Sequence, residues 1–401
     1  MAKTRATENL YDEVDSMMLV SALIYDLAIL NGECKRDKVE GLKNREFLEK
    51  CPKTSSEVTA WFDENLEAMQ TEHDNFNEDL KEQLKILSKR DDADSQSGEY
   101  SLEAFDDEFG FGGREAEIVY GITRNPDTKR ITVAFRGSQQ AKDWFQNLRV
   151  KRQDLELTEE YLEAAIPDPD LELVKKFSKV RVHSGFFQYL FTQQQKTDKT
   201  TKFVEIMTTL TKLLSQEENE GFSVFFTGHS LGAALATLAG AACSISKVIK
   251  NEVTVISFAS PQAGKQDFTD AFQELEKAGR IRHLRVTNNN DVVPQALGLL
   301  GYKHTGIHLN LGQGALLGCM CCLPCCCTKH YSISNTDTRG ILFRTNHMKF
   351  SLGWFNPFCG CGGIAIPHSM TEHRKRLMKV QSQIEELTLT NLYKDSKLRG
   401  Y

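Results

Sequence analysis

Two spacings of hydrophobic residues alternate along the second half of the chain. Runs of strand type occupy 224–226, 253–259 and 281–287, and the first two are followed by residues with helical spacing, in the second case over 265–278. Strands that alternate with helices predict an α/β fold with a mostly parallel sheet covered on both faces. Because ligands of such sheets bind at the carboxyl ends of the strands, we expect the functional residues at those ends.

A hairpin is predicted upstream of this region. Residues 116–123 and 130–136 are apolar or alternate between apolar and polar, and the turn-forming residues 124–129 join them. The segment 91–116 is acidic and contains several glycines, which predicts a linker or a surface loop.

The N-terminal part is predicted to be helical. Residues 8–31 are mainly apolar and 57–89 are amphipathic and rich in charge, so we expect helices that pack as a cover on the main domain. The patterns divide the chain into an N-terminal helical extension (1–90), an acidic linker (91–116), a main domain (117–385) and a polar C-terminal tail (386–401).

Composition and charge narrow the class of partner. The chain has 401 residues, a formal net charge of −6 and no basic stripe with interleaved aromatic residues, which argues against nucleic acid. Residues 1–15 are more acidic than basic, unlike a secretory signal, and the apolar run 17–30 is too short to span a bilayer and contains Asp26. Most of the 11 cysteines are clustered, which suits a reducing compartment. We therefore expect an intracellular protein.

The most informative motif joins the strand-type run 224–227 to an Ala/Leu-rich helical run. It reads Gly228-His229-Ser230-Leu231-Gly232, which has the G-x-S-x-G form of a nucleophile elbow. A plain Gly/Ser turn is the alternative, but the correct flanks on both sides favour catalysis. The glycines are needed because a sharp strand-to-helix turn brings backbone atoms together, and the turn presents Ser230 at the start of a helix.

A serine nucleophile needs a histidine base that a carboxylate orients, and in this type of sheet the chain order is serine, acid, histidine. Asp291 follows the strand-type run 281–287 and is the expected acid; a polar turn before Pro294 is the alternative. His368 precedes a predicted helix whose capping box is Ser369 and Glu372, so it lies on a loop that can reach the site. His373, one turn inside that helix, is expected to face solvent.

These motifs make the chain resemble the class 3 lipases, which have an α/β-hydrolase fold and include fungal triacylglycerol lipases, plant phospholipases A1 and diacylglycerol lipases. The matching blocks, in order, are 133–138 with Trp144, 182–186, 228–234, 290–294, 302–306, and His368 with Leu377. They cover about 117–377.

The resemblance implies a role for each matching residue. Ser230 would be the nucleophile, Asp291 the acid and His368 the base, while Ser138 and the N–H of Leu231 would form the oxyanion hole. The apolar residues Trp144, Phe145 and Leu148 would lie in or beside a lid. One departure is His373, which stands where family members often have tyrosine, and this keeps it as a second candidate for the base.

The expected activity is hydrolysis of fatty-acyl esters of glycerolipids at a membrane or lipid-droplet surface, without a metal or an organic cofactor. Two alternatives stay open. One is a catalytically silent, lipase-like scaffold or lipid-binding protein, and the other is an esterase for small soluble substrates, which would not accelerate when its substrate aggregates.

A cysteine-rich insertion, 309–361, lies between Asp291 and His368. Its cluster Cys319–Cys327 has three interpretations: zinc binding, reversible S-acylation, or a thiol-rich loop without a ligand. Adjacent cysteines diverge in direction, which disfavours zinc. S-acylation would add a membrane signal to an amphipathic lid, so the protein is expected to be cytoplasmic and peripherally attached to membranes.

Overall fold

The computed structural model describes 8–35, 43–44, 47, 50–70, 100–106, 119–137, 154–192, 200–289, 291–312, 331–335, 368–395 and 398. The strands are β1 (Lys53–Thr54), β2 (Ser101–Asp106), β3 (Tyr120–Asn125), β4 (Arg130–Phe135), β5 (Asp154–Glu156), β6 (Arg181–His183), β7 (Ser223–His229), β8 (Val253–Phe258), β9 (Ile281–Asn288), β10 (Ile307–Leu311) and β11 (Tyr331–Asn335). The helices are α1 (Leu10–Lys35), α2 (Ser55–Gln70), α3 (Glu159–Ala165), α4 (Leu171–Phe177), α5 (Ser184–Phe191), α6 (Lys202–Leu214), α7 (Leu231–Cys243), α8 (Gln266–Lys277), α9 (Met370–Ile384) and α10 (Leu389–Lys394).

One sheet organises the molecule, with the strand order β1-β2-β3-β4-β7-β8-β9-β10-β11. The centre, from β4 through β7, β8 and β9 to β10, is parallel, and the strands at both edges are antiparallel. This confirms the prediction of an α/β-hydrolase-type sheet. The short strands β5 and β6 pair separately.

Two hydrophobic layers cover the two faces of the sheet. On one face, helices α3 to α8 pack against residues such as Val133, Val224 and Val255. On the other face, α1 and α9 pack against residues such as Phe225 and Ile256. Successive residues of a strand point to opposite faces, which is why Val224 and Phe225 of β7 belong to different layers.

The N-terminal region is a part of this core and more than a cover. Leu10, Val14, Met17 and Ile24 of α1 are almost completely buried against the sheet. The strand β1 adds the predicted extension to the edge of the sheet. The predicted extension and the main domain therefore share one sheet and one hydrophobic layer.

The linker prediction for 91–116 is wrong at Ser101–Asp106, which form β2 and pair with both β1 and β3. Residues 101–104 alternate between polar and apolar, and Leu102 is buried, so pairing with β3 outweighs the acidic composition. Residues 91–99 and 107–116 of this segment lie outside the described residues.

The predicted insertion also begins too early. Leu309 and Leu311 are buried in β10, which pairs with β9, and Tyr331–Asn335 return as β11. The Cys319–Cys327 cluster lies outside the described residues. The predicted tail 386–401 contains α10, whose Leu389 is buried in the layer formed with α1.

None of the described helices has an apolar stretch that is long enough to cross a bilayer.

Candidate active site

Ser230 occupies a strained turn between β7 and α7. Its φ of 57° and ψ of −124° lie outside the regions that an L-residue ordinarily adopts, and it is only 6% exposed. Its N–H donates to the carbonyl of Phe258 on β8 (2.9 Å), which holds the turn against the neighbouring strand. The hydroxyl does not cap α7, so it is not engaged with the first helical turn.

Close backbone approach explains the two glycines of the motif. A Cβ atom on Gly232 would lie 2.2 Å from the carbonyl oxygen of Phe135, at the end of β4. A Cβ atom on Gly228 would lie 2.6 Å from the backbone of Gly232. The first turn of α7 therefore rests directly on the backbone of β4, which is the contact that the sequence motif predicts.

Asp291 and His368 form a buried pair at the carboxyl end of β9. The Nδ1 atom of His368 lies 2.9 Å from Oδ2 of Asp291, and Oδ1 of Asp291 accepts from the N–H of Val293 (3.0 Å). Because an ionised carboxylate only accepts hydrogen bonds, the hydrogen of a neutral His368 lies on Nδ1. The Nε2 atom then has the free lone pair that a general base requires.

Helix α9 places His368. Ser369 is its N-cap, has an extended backbone and accepts from the N–H of Glu372 (3.2 Å), so His368 lies immediately before the start of the helix. His368 is 6% exposed and Asp291 is 5% exposed.

His229, a residue of the elbow, contacts His368. The centroids of the two imidazole rings are 4.6 Å apart, and Nε2 of His229 lies 2.6 Å from the backbone oxygen of His368. Among the hydrogen bonds of the described residues, none joins the hydroxyl of Ser230 to His368. The structure thus brings His368 and Asp291 into direct contact and places His229, the residue before Ser230, against His368. In unliganded enzymes such a serine–histidine contact is often long until substrate binds.

The expectation that His373 faces solvent is wrong. This side chain is 0% exposed, because α9 turns it inward against the elbow, where its ring lies 5.8 Å from that of His229. Burial lowers the pKa of His373 to about 4. Its Nδ1 atom lies 2.9 Å from Nδ2 of Asn288, whereas the carboxylate of Asp291 pairs with His368. The contacts favour His368 as the base.

The residues predicted to form an oxyanion hole are only partly described. Leu231 begins α7, so its N–H is one of the first-turn amides that have no carbonyl partner within the helix. Ser138 lies outside the described residues, but Gly137 before it touches the elbow: a Cβ atom on Gly137 would lie 3.1 Å from Cβ of Ser230. The proposed lid residues Trp144, Phe145 and Leu148 also lie outside the described residues.

Within the described ranges, no three histidine, cysteine, aspartate or glutamate side chains lie close enough together to hold a metal ion.

Sequence reasoning missed two side chains at the site. Tyr25 of α1 lies beside His229, with its hydroxyl 3.2 Å from Nδ1 of that imidazole. Asn288 contacts His373. The polar Tyr25 inside an apolar helical run was the one available signal; the fold alone brings it to a motif about two hundred residues away.

Parts of the chain are similar to known lipases and phospholipases. The family model described as "Lipase (class 3)" matches residues 132–300. Phospholipase A1-II 3 of Oryza sativa subsp. indica is 29% identical over an alignment of 216 residues that covers 51% of this chain and 48% of that protein. Phospholipase A1-IIgamma of Arabidopsis thaliana is 28% identical over an alignment of 191 residues that covers 44% of this chain and 40% of that protein. The chain spans about half the length of the curated relatives that it matches.

Among solved structures, the mono- and diacylglycerol lipase from Aspergillus oryzae is 18% identical, with a TM-score of 0.40 and coverage of 59% of this chain and 70% of that chain.

Proposed function

We propose that this chain, whose residues 132–300 match the class 3 lipase family model, hydrolyses fatty-acyl ester bonds of glycerolipids by a serine mechanism. The observation that carries the proposal is the buried Asp291–His368 pair beside the strained elbow of Ser230. A buried carboxylate that fixes the tautomer of an imidazole next to a serine elbow is the arrangement that activates a serine hydroxyl.

The reaction runs through an acyl-enzyme. The hydroxyl of Ser230 attacks the carbonyl carbon of the ester while Nε2 of His368 takes its proton, and Asp291 stabilises the resulting imidazolium. The tetrahedral intermediate collapses when its C–O bond to the glycerol breaks, and His368 returns the proton to the departing alcohol. A water molecule then attacks the acyl group, with His368 again as base, and the fatty acid leaves.

We assign the oxyanion hole to the N–H of Leu231 and to Ser138. Leu231 supports this assignment because its amide stands at the N-terminus of α7, where the helix dipole also favours negative charge. Ser138 is supported by the position of Gly137, whose backbone lies against Ser230. One preorganised donor contributes about 10²- to 10³-fold to kcat in serine hydrolases.

The substrate proposal is a glycerolipid, either a neutral acylglycerol or a phospholipid. The names of the relatives favour a phospholipid, since the first of them are phospholipases A1. Access to an aggregated substrate is assigned to the apolar lid residues Trp144, Phe145 and Leu148. We further propose peripheral attachment to a membrane or lipid droplet, with S-acylation of the Cys319–Cys327 cluster as a second anchor.

The test is a substrate panel. Pure protein is incubated with tri-, di- and monoacylglycerols and with phospholipids, and the released fatty acids and lysolipids are identified. Ser230→Ala is expected to abolish release from every substrate. Ser244→Ala, at the other end of α7, is the matched control and is expected to retain activity. Turnover by Ser230→Ala equal to that of the unaltered protein would contradict the proposal.

A second assay addresses the lid. The rate with a short-chain triacylglycerol is measured below and above its solubility limit. A rise in rate at that limit supports a lidded lipase. A rate that depends only on the dissolved concentration would instead favour an esterase for small soluble substrates.

A further inference from the structure

Tyr25 of the N-terminal helix reaches the elbow from outside the segment that matches the family. Its hydroxyl lies 3.2 Å from Nδ1 of His229, and the two rings meet edge to face with centroids 5.9 Å apart. Its oxygen also accepts a hydrogen bond from the backbone N–H of Gly137, and a Cβ atom on Gly137 would lie 2.2 Å from that oxygen. One phenol therefore touches two segments that carry parts of the site.

The hydrogen bonds of His229 have only one consistent direction. Its Nε2 atom lies 2.6 Å from the backbone oxygen of His368, and a carbonyl can only accept, so Nε2 carries the hydrogen. Burial and the neighbouring His368 and His373 hold the pKa of His229 well below its usual value, so the ring is neutral and Nδ1 is an acceptor. The hydroxyl of Tyr25 therefore donates to Nδ1, and burial keeps that hydroxyl protonated by raising its pKa.

His368 is consequently held at two points. Asp291 orients its imidazole through Nδ1, and His229 holds its backbone through the carbonyl oxygen. The second attachment depends on the tautomer and ring orientation of His229, which the Tyr25 hydroxyl fixes. We call the series Tyr25 hydroxyl, His229 imidazole and His368 carbonyl the Tyr25–His229 bridge.

We propose that Tyr25 is a positioning residue for ester hydrolysis, which it supports by holding His229, and through it the backbone of His368, in the arrangement that the reaction uses. The inference rests on the proposed function and deepens it. It gives α1 a role in catalysis besides its role in the core.

The first variant is Tyr25→Phe, which removes the hydroxyl and keeps the ring contact with His229. We expect kcat to fall roughly 3- to 10-fold, the effect of losing one orienting hydrogen bond, with KM changed less than about twofold. The rate of labelling by a fluorophosphonate should fall by the same factor. The control is Tyr11→Phe on the same helix, where the hydroxyl lies near Asp15 and Arg374 and where kcat should not change.

A double-mutant cycle separates positioning from general packing. If Tyr25 acts through the Tyr25–His229 bridge, adding Tyr25→Phe to a His229→Phe variant should lower kcat by less than about twofold more. The imidazole that accepts from the Tyr25 hydroxyl is already absent in that variant. A full effect of Tyr25→Phe in that background would overturn the proposal. If Tyr25→Phe alone fails to fold, His229→Phe tests the same bridge, and an unchanged kcat in that variant would overturn it.

The outcomes also separate this inference from the proposed function. Absence of hydrolysis and of fluorophosphonate labelling in the unaltered protein would contradict the proposed function itself. An active protein whose Tyr25→Phe variant is as active as the Tyr11→Phe control would overturn only the positioning role of Tyr25. A selective loss in kcat with unchanged KM supports both.

Discussion

His368 and Asp291 lie 77 residues apart in the chain, yet Nδ1 of the imidazole and Oδ2 of the carboxylate are 2.9 Å apart in a buried contact. The contact fixes the tautomer of His368, because Asp291 can only accept. The proposed reaction depends on this tautomer more than on any other single feature of the site.

Asp291→Asn tests that dependence. The amide can donate to Nδ1 and thereby place the hydrogen of His368 on Nε2, where it blocks transfer of the proton from Ser230. We expect kcat to fall by about 10³- to 10⁴-fold with little change in KM. The measurement is steady-state hydrolysis of a soluble ester. Asp267→Asn removes the same charge at an exposed ion pair with Arg181 and serves as the control; a loss in Asp291→Asn no larger than in this control would argue against the assignment.

The close contact between α7 and β4 gives a prediction about stability. Gly232→Ala would press a Cβ atom into the backbone of Phe135, which cannot move without disturbing the sheet, so we expect a loss of about 3 kcal/mol in the free energy of unfolding. Gly221→Ala is the control: unlike Gly232, Gly221 has a positive φ, 78°, but an added Cβ atom there meets nothing within 4 Å, so only the backbone strain counts, which should cost about 1 kcal/mol. Urea denaturation measures both. Equal losses would show that the contact is not tight.

Because α1 is buried, we expect its apolar residues to contribute to the free energy of unfolding as core residues do. Ile24 is 0% exposed and packs on the sheet, so Ile24→Ala should lower the free energy of unfolding by about 2–5 kcal/mol. Met378 of α9 is 57% exposed, and Met378→Ala should change the free energy of unfolding by less than about 0.5 kcal/mol. If α1 is only a loose cover, the two variants will be equally stable.

Buried histidines predict how stability depends on pH. Burial, followed by the charge of Arg285, lowers the pKa of His283 from 6.5 to about 3. Between these values the unfolded chain binds a proton at this residue and the folded chain does not. The contribution of neutral His283 is therefore complete above pH 6.5 and is lost as the pH falls below it, by about 1.4 kcal/mol per pH unit.

His283→Gln isolates this effect. The side chain of His283 is bonded to Ser257 (2.8 Å) and Thr305 (2.9 Å), so the variant should be less stable than the unaltered protein at pH 7. At pH 5 the difference should shrink by about 2 kcal/mol, because only the unaltered protein suffers the protonation penalty. Urea denaturation at both pH values provides the comparison. A difference that stays constant would mean that His283 binds its proton in the folded state.

The elbow and the acid could be predicted from sequence because their signals are local. Gly228, Ser230 and Gly232 lie within one turn between a strand and a helix, and Asp291 directly follows a strand. His368 could be proposed from the capping box of Ser369, whose bond to Glu372 the structure contains. In each case the neighbouring residues that create the geometry are neighbours in the chain.

What sequence reasoning missed depends on contacts between distant segments. The pairing of Ser101–Asp106 with β3 outweighs an acidic composition, and the packing of α9 against the elbow buries His373. Tyr25 meets His229 only because α1 crosses β7 on the face opposite α7. Composition and periodicity do not encode such approaches, which follow from the assembled fold.

The most direct test is to identify the side chain that a fluorophosphonate modifies. The protein is labelled, digested and examined by mass spectrometry, with His368→Ala as a parallel sample. We expect a single adduct on Ser230 in the unaltered protein and strongly reduced labelling in His368→Ala. An adduct on another residue, or ester hydrolysis that persists without modification of Ser230, would contradict it.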